Sequence, residues 1–253
     1  MVLKPMTVLT ANTFSPTLNA FSKTNIIIPN DYEANPAATL WLLNGYGGDE
    51  QSWLLHTAIM DLAETYHLAV IMPNGQNSFY VNAGVLPYED YFIQEFMPRM
   101  QKMFSLPTEQ AKNFIMGNSM GGFGALRFGL TYPDKFQKIA ALSGVVNLPN
   151  FFNNPDFPVP KSEVAVLFPD DTMFADQNNL EFLFNQLTAA QQATLQFYTS
   201  CGTGDSLFKD NEYLAHRFSR ELNYVWRPVA GDHSWPVWAA QLDQVLAWLV
   251  QNE

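Results

Sequence analysis

Cysteine is almost missing from this chain: Cys201 stands alone among 253 residues. That excludes an intramolecular disulfide and any metal site built on several thiolates. Positive charge is scarce too. Lys and Arg number 13 against 24 Asp and Glu, for a formal net charge of −11. Such a surface repels phosphate backbones, so no nucleic-acid partner is expected. No run of about 18 apolar residues is present to span a membrane, and Met1 to Thr10 lacks the charged-then-apolar pattern of an export signal. We therefore expect a soluble cytoplasmic protein with no membrane partner. Internal repeats and low-complexity stretches are also missing. Assembly of several copies into a homo-oligomer is compatible with the composition and not required by it.

What is present is apolar and aromatic. Hydrophobic residues make up 47% and Phe, Tyr and Trp 14%, enough for one large core and one domain over 1–253. Strand-like and helix-like segments alternate. Residues 24–29, 39–43, 68–72, 114–116, 139–142, 195–200 and 224–229 read as strands. Residues 51–66, 88–104, 122–132, 211–222 and 236–250 carry helical spacing. This alternation predicts an α/β fold with a mostly parallel central sheet and helices on both faces. Ligands bind such sheets beyond the carboxyl ends of the strands. One stretch, 147–194, breaks the rhythm with proline, asparagine and phenylalanine, and we read it as a small cap insertion over the site.

The motif with most chemical content is "GNSMGG", Gly117 to Gly122, with an apolar run before it and a helix-like run after it. It reads G-x-S-x-G with Ser119 at the centre, the pattern of a sharp strand-to-helix turn that exposes a hydroxyl above the sheet. Chance produces that pattern in roughly one chain of this length in fifteen, so its context must carry the reading. A serine needs a base to remove its proton. Of the four histidines, His56 and His216 fall within predicted helices and His67 lies where a helix passes into a strand. His233 follows the last predicted strand in the loop "AGDHSW" and is the expected base. Asp205, in "SCGTGDSLF" just past the strand 195–200, lies at the same sheet edge. We expect it to orient the histidine, although it could also cap the helix that follows. Asp232 is a rival, but adjacent residues rarely point their side chains at one another. The order Ser119, Asp205, His233 is that of the α/β-hydrolases. For the oxyanion, the glycine-rich "LLNGYGGDEQSW" after the strand 39–43 offers the amide of Tyr46, to be paired with that of Met120. Expected substrate-pocket walls are Phe151, Phe152 and Phe157 from the insertion, with Trp53, Phe79 and Trp235 from loops near the strand ends.

Four separated segments, "LLNGYGGDEQSWL", "IMPNGQNSFYVN", "GNSMGGFGALRFGLTYPDKF" and "GDHSWPVW", resemble the tributyrin-esterase branch of the esterase D-like α/β-hydrolases. The resemblance runs over about 22–249 of the sequence. It implies serine carboxylesterase activity on short acyl esters, a small-molecule ester as the partner and no cofactor or metal. It also implies the triad Ser119, Asp205 and His233, with oxyanion amides at Tyr46 and Met120. Relatives often carry histidine before the oxyanion glycine, where this chain has Asn44. The related S-formylglutathione hydrolases often carry a cysteine just after that loop, which "GYGGDEQSW" lacks. Mycolyltransferases share the architecture but are exported. Hydrolysis of S-formylglutathione, or of acetyl or feruloyl esters linked to carbohydrate, is the alternative. A hydrolase fold that binds without catalysing is a minor one.

Overall fold

The computed structural model describes residues 7–30, 38–84 and 86–251, so the reading of Met1 to Met6 lies outside the described residues. Eight strands form one sheet: β1 (Thr7–Ser15), β2 (Ala20–Ile28), β3 (Ala38–Leu43), β4 (Leu68–Pro73), β5 (Asn113–Asn118), β6 (Lys138–Leu142), β7 (Gln196–Gly202) and β8 (Asn223–Val229). Their spatial order is β1-β2-β4-β3-β5-β6-β7-β8. β1 pairs antiparallel with β2, and β2 with β4. Every pairing from β4 to β8 is parallel. This is the mostly parallel α/β-hydrolase sheet the alternation predicts.

β1 is the strand the sequence reading missed. "TVLTANTFS" is mostly exposed and lacks a clean period-two apolar pattern. It holds its place by pairing with β2 from Thr7–Ile28 to Ser15–Ala20, an interaction of backbones that leaves little mark on side-chain choice.

Successive strand residues point to opposite faces, and each face has its own core. Trp41, Leu43, Ile71 and Ile115 join one cluster with Phe92, Phe96, Phe123 and Phe218. Leu40, Leu42, Val70 and Met116 join the other with Trp53, Ile59, Leu242 and Leu246. The first face is covered by the 88–104 helix, by α1 (Met120–Thr131) and by α2 (Phe208–Phe218). The second is covered by two short helices before β4 and by α3 (Trp235–Val250).

The single helix expected at 51–66 is two, Ser52–His56 and Ile59–Thr65. Thr57 makes the break. Its hydroxyl donates to the Trp53 carbonyl and accepts from the Ile59 amide at 3.2 Å, ending one helix and starting the next. The helix at 88–104 has a wide π-turn centre, Tyr91–Phe96, just ahead of Pro98. The insertion is more ordered than its composition suggests. Short helices run Leu148–Phe152, Lys161–Leu167, Leu180–Asn185 and Ala189–Thr194. Its prolines and polar residues begin helices rather than break them: Pro149 enters the first turn behind Asn147, and Asn179 and Thr188 cap their own.

Candidate active site

The turn from β5 into α1 explains the glycines around Ser119. A Cβ on Gly117 would lie 2.3 Å from the Gly121 backbone, and one on Gly121 would lie 2.5 Å from the Leu43 carbonyl oxygen. Backbone cannot yield there, so only glycine lets β3, β5 and α1 approach so closely. Ser119 takes φ 53° and ψ −118° as the residue before the helix, a conformation that costs a non-glycine residue energy. Its surroundings hold it: its amide donates to the Leu142 carbonyl at 2.9 Å, and its carbonyl accepts from Phe123 and Val145.

Three side chains from three loops meet at this edge. His233 Nε2 lies 2.9 Å from Ser119 Oγ. His233 Nδ1 lies 2.8 Å from Asp205 Oδ2. The Asp205 carboxylate can only accept, so Nδ1 carries the proton and Nε2 is free to accept from the serine hydroxyl. Asp205 Oδ1 accepts from the Leu207 amide at 2.9 Å. Burial by itself raises the Asp205 pKa. The hydrogen bond and charge of His233, the Leu207 amide and Ser143 together outweigh it, so the carboxyl titrates below its ordinary value. Asp232 lies elsewhere: it is exposed and accepts from the hydroxyl of Ser234.

The loop after β3, which is expected to supply an oxyanion amide, is tied down from beneath. Asn44 Oδ1 accepts from the Gly75 amide at 2.8 Å, Asn44 Nδ2 donates to the Gly45 carbonyl at 2.9 Å, and the Tyr80 hydroxyl donates to the Asn44 carbonyl at 2.9 Å. Asn44 thus braces the loop through its side chain and its carbonyl. A Cβ on Gly45 would come within 3.4 Å of Ser119 Cβ, which brings the chain leading into Tyr46 against the serine. Met120 opens α1, where first-turn amides have no helical carbonyl to bond. The Tyr46 phenol is pushed up to about 12 by burial and by the neighbouring Glu163 carboxylate of the insertion.

Ser119 and His233 line a cleft of about 790 Å³. Of the six expected wall residues, Phe151, Phe157 and Trp235 line it. The other three do not. Trp53 is fully buried beneath Trp235, edge to face at 5.2 Å, with Nε1 donating to the Leu43 carbonyl. Phe79 is fully buried behind Phe151 and Phe152. Phe152 turns to Phe168 and lines a separate cavity with it. A large ring beside a strand end can support a wall as readily as form it, and sequence spacing does not separate the two.

Sequence reading passed over three neighbours. Trp238 stands edge-on to the His233 ring at 5.0 Å and 90°, and its Nε1 donates to Ser143 Oγ at 3.1 Å. Ser143, at φ 47°, also touches Asp205. With Phe157 on the ring at 4.7 Å, the imidazole is held by packing as well as by hydrogen bonds. His56, expected as a helix residue of no chemical interest, is exposed at the cleft and stacks on Trp235. Only Trp238 left a signal, as part of "GDHSWPVW".

Among the described residues no helix is long and apolar enough to cross a membrane. The Esterase family, whose model is described as "Putative esterase", matches residues 15–249. An acetyl esterase of Caldicellulosiruptor saccharolyticus is 29% identical over 231 residues, covering 87% of this chain and 85% of its own. The substrate-bound fluorophosphonate-binding serine hydrolase F (FphF) of Staphylococcus aureus superposes with a TM-score of 0.88 at 30% identity, covering 98% of this chain and 100% of its own. The S-formylglutathione hydrolase FrmB of the same organism gives 0.87 at 28% identity, with 98% and 100% covered. Family, fold and a serine at the strand-to-helix turn agree over nearly the whole length: this chain belongs to the Esterase family of α/β-hydrolases and is a carboxylic ester hydrolase.

Proposed function

We propose that this esterase hydrolyses short-chain acyl esters through an acyl-enzyme formed on Ser119. The observation that carries this reading is the unbroken relay of 2.9 Å and 2.8 Å from Ser119 through His233 to Asp205. Ser119 Oγ attacks the ester carbonyl carbon while His233 Nε2 takes its proton. Asp205 keeps the imidazole oriented and stabilises its cationic form. The amides of Tyr46 and Met120 hold the developing oxyanion. His233 then gives the proton to the departing alcohol oxygen. Water, deprotonated by the same Nε2, attacks the acyl carbon and releases the acid and the serine.

The short-chain preference rests on the walls. Phe151, Phe157 and Trp235 are bulky, and the acyl and alcohol groups must share the cleft of about 790 Å³ that these rings help to line. We read the chain as one hydrolase domain, with 147–194 as its cap and a cytoplasmic location suited to a buried, unpaired Cys201. Hydrolysis of S-formylglutathione or of acetyl and feruloyl esters is the second reading, favoured by the names of the relatives.

The test is an unbiased panel of esters and thioesters with wild type and Ser119→Ala. Hydrolysis of short acyl esters that disappears in Ser119→Ala supports the reading. A folded wild type inert to the whole panel would point to a binding protein instead.

A further inference from the structure

In serine ester hydrolysis the leaving alcohol must sit where the general acid can reach it, so the surroundings of His233 Nε2 define the alcohol side of the cleft. Phe157 meets the His233 ring at 4.7 Å, and its neighbour Asp156 lines the same cleft. Trp235 and Pro236 follow closely after His233 and line it too. His56 lays its ring on Trp235, centroids 4.7 Å apart and 20° from parallel, and so backs that ring at the cleft.

The charge of this region is one-sided. Among the described residues lining the cleft, Asp156 is the one carboxylate and none is Lys or Arg. Glu163 adds a carboxylate beside Tyr46. Lys161, the one basic residue of 147–194, lines the separate cavity that contains Phe152. Asp156 is also positioned. Its amide donates to Asn154 Oδ1 at 3.0 Å, and Asn154 Nδ2 donates to Ser206 Oγ at 3.1 Å, next to Asp205. The turn bearing Asp156 is thereby tied to the loop that carries the acid of the relay, while its side chain stays exposed.

We propose that Asp156 sets leaving-group specificity by charge: alcohols bearing a cation are favoured over uncharged ones, and anionic ones are disfavoured. The inference rests on the esterase reading above and concerns the alcohol side of that same site. A carboxylate attracts a cationic group and repels an anionic one, and the aromatic lining of the same cleft, Trp235 and Phe157, suits a weakly hydrated cation such as a quaternary ammonium. Because Asp156 is exposed, the effect is modest and weakens with salt. Glutathione, with two carboxylates against one ammonium, falls on the disfavoured side as a leaving thiol.

The experiment compares kcat/KM for three acetate esters of similar size. These are the choline ester, its uncharged isostere 3,3-dimethylbutyl acetate, and the acetate ester of 3-hydroxypropanoate. Each is measured at low and high salt with wild type, Asp156→Asn and Asp61→Asn. Asp61 is an exposed residue on the Ile59–Thr65 helix, so its variant removes one charge without altering the cleft lining. The expected cation-to-anion ratio for wild type is about tenfold at low salt, falling about threefold or more in Asp156→Asn and in high salt. Asp61→Asn keeps the wild-type ratio. An anionic ester cleaved as fast as the cationic one would overturn the proposal, as would a ratio that both variants leave alike. Cleavage of the uncharged ester without any ranking by charge removes this subsite alone. A folded wild type that cleaves none of the three removes the esterase reading and this inference with it.

Discussion

His233 Nε2 stands 2.9 Å from Ser119 Oγ although the two residues are 114 positions apart in the chain. β5 delivers the serine and the loop after β8 delivers the histidine, and the sheet brings both to one edge. Removing the hydroxyl leaves that scaffold untouched. Ser119→Ala is expected to lower kcat on p-nitrophenyl acetate by about 10⁴-fold or more with an unchanged unfolding transition. A covalent serine probe should label wild type at Ser119, checked by mass mapping of the adduct.

Asp205→Asn should cost about 10³- to 10⁴-fold in kcat, because an amide can hold the imidazole in the wrong tautomer. Asp232→Asn, at an exposed carboxylate that meets Ser234, should cost less than about tenfold. Steady-state kinetics on one ester decide the ranking. The reverse order would move the acid to Asp232.

The same carboxylate makes stability depend on pH. Its folded-state pKa lies below the ordinary value. Its stabilisation is therefore fully present above the ordinary carboxylate range and is lost as pH falls through the lowered folded value. Denaturation midpoints across that acid range should fall less steeply for Asp205→Asn than for wild type. Equal slopes would show that Asp205 is not held in its ionised form by the fold.

Gly121→Ala should be far more damaging than its one added methyl suggests. The new Cβ would lie 2.5 Å from the Leu43 carbonyl oxygen and 2.8 Å from that of Asn44. Either α1 or the oxyanion loop must shift. A loss of about 1–3 kcal/mol in denaturant unfolding is expected, together with a fall in kcat from misplaced oxyanion amides. A variant as stable and active as wild type would contradict this close packing.

Acyl chain length reads the depth of the cleft. Each added methylene gains about 0.8 kcal/mol until the pocket is full, after which overpacking reverses the trend. kcat/KM on p-nitrophenyl esters should peak between about two and six acyl carbons and fall about tenfold by twelve, a loss near 1.4 kcal/mol. The series is run below micelle formation. A maximum at ten carbons or longer would indicate an open lipid channel.

Much of this molecule was legible in one dimension because its signals are local. The apolar runs of β3 to β8 alternate with helical periods, and that alternation suffices for a mostly parallel sheet. Gly117 and Gly121 announce the turn at Ser119 because their requirement is steric and lies within the turn and the strand beside it. His233 and Asp205 were found by their position after strands, since strand ends in such a sheet share one edge. What only the tertiary structure decided depends on contacts between distant segments. β1 exists because β2 offers it an edge. Thr57 divides a helix through hydrogen bonds that its spacing does not reveal. Whether a ring near a strand end faces the cleft, as Trp235 does, or lies beneath it, as Trp53 does, follows from which ring reaches the Leu43 carbonyl and the sheet beneath. Composition supplies the rings, and three-dimensional packing alone allots them to the wall or to the core behind it.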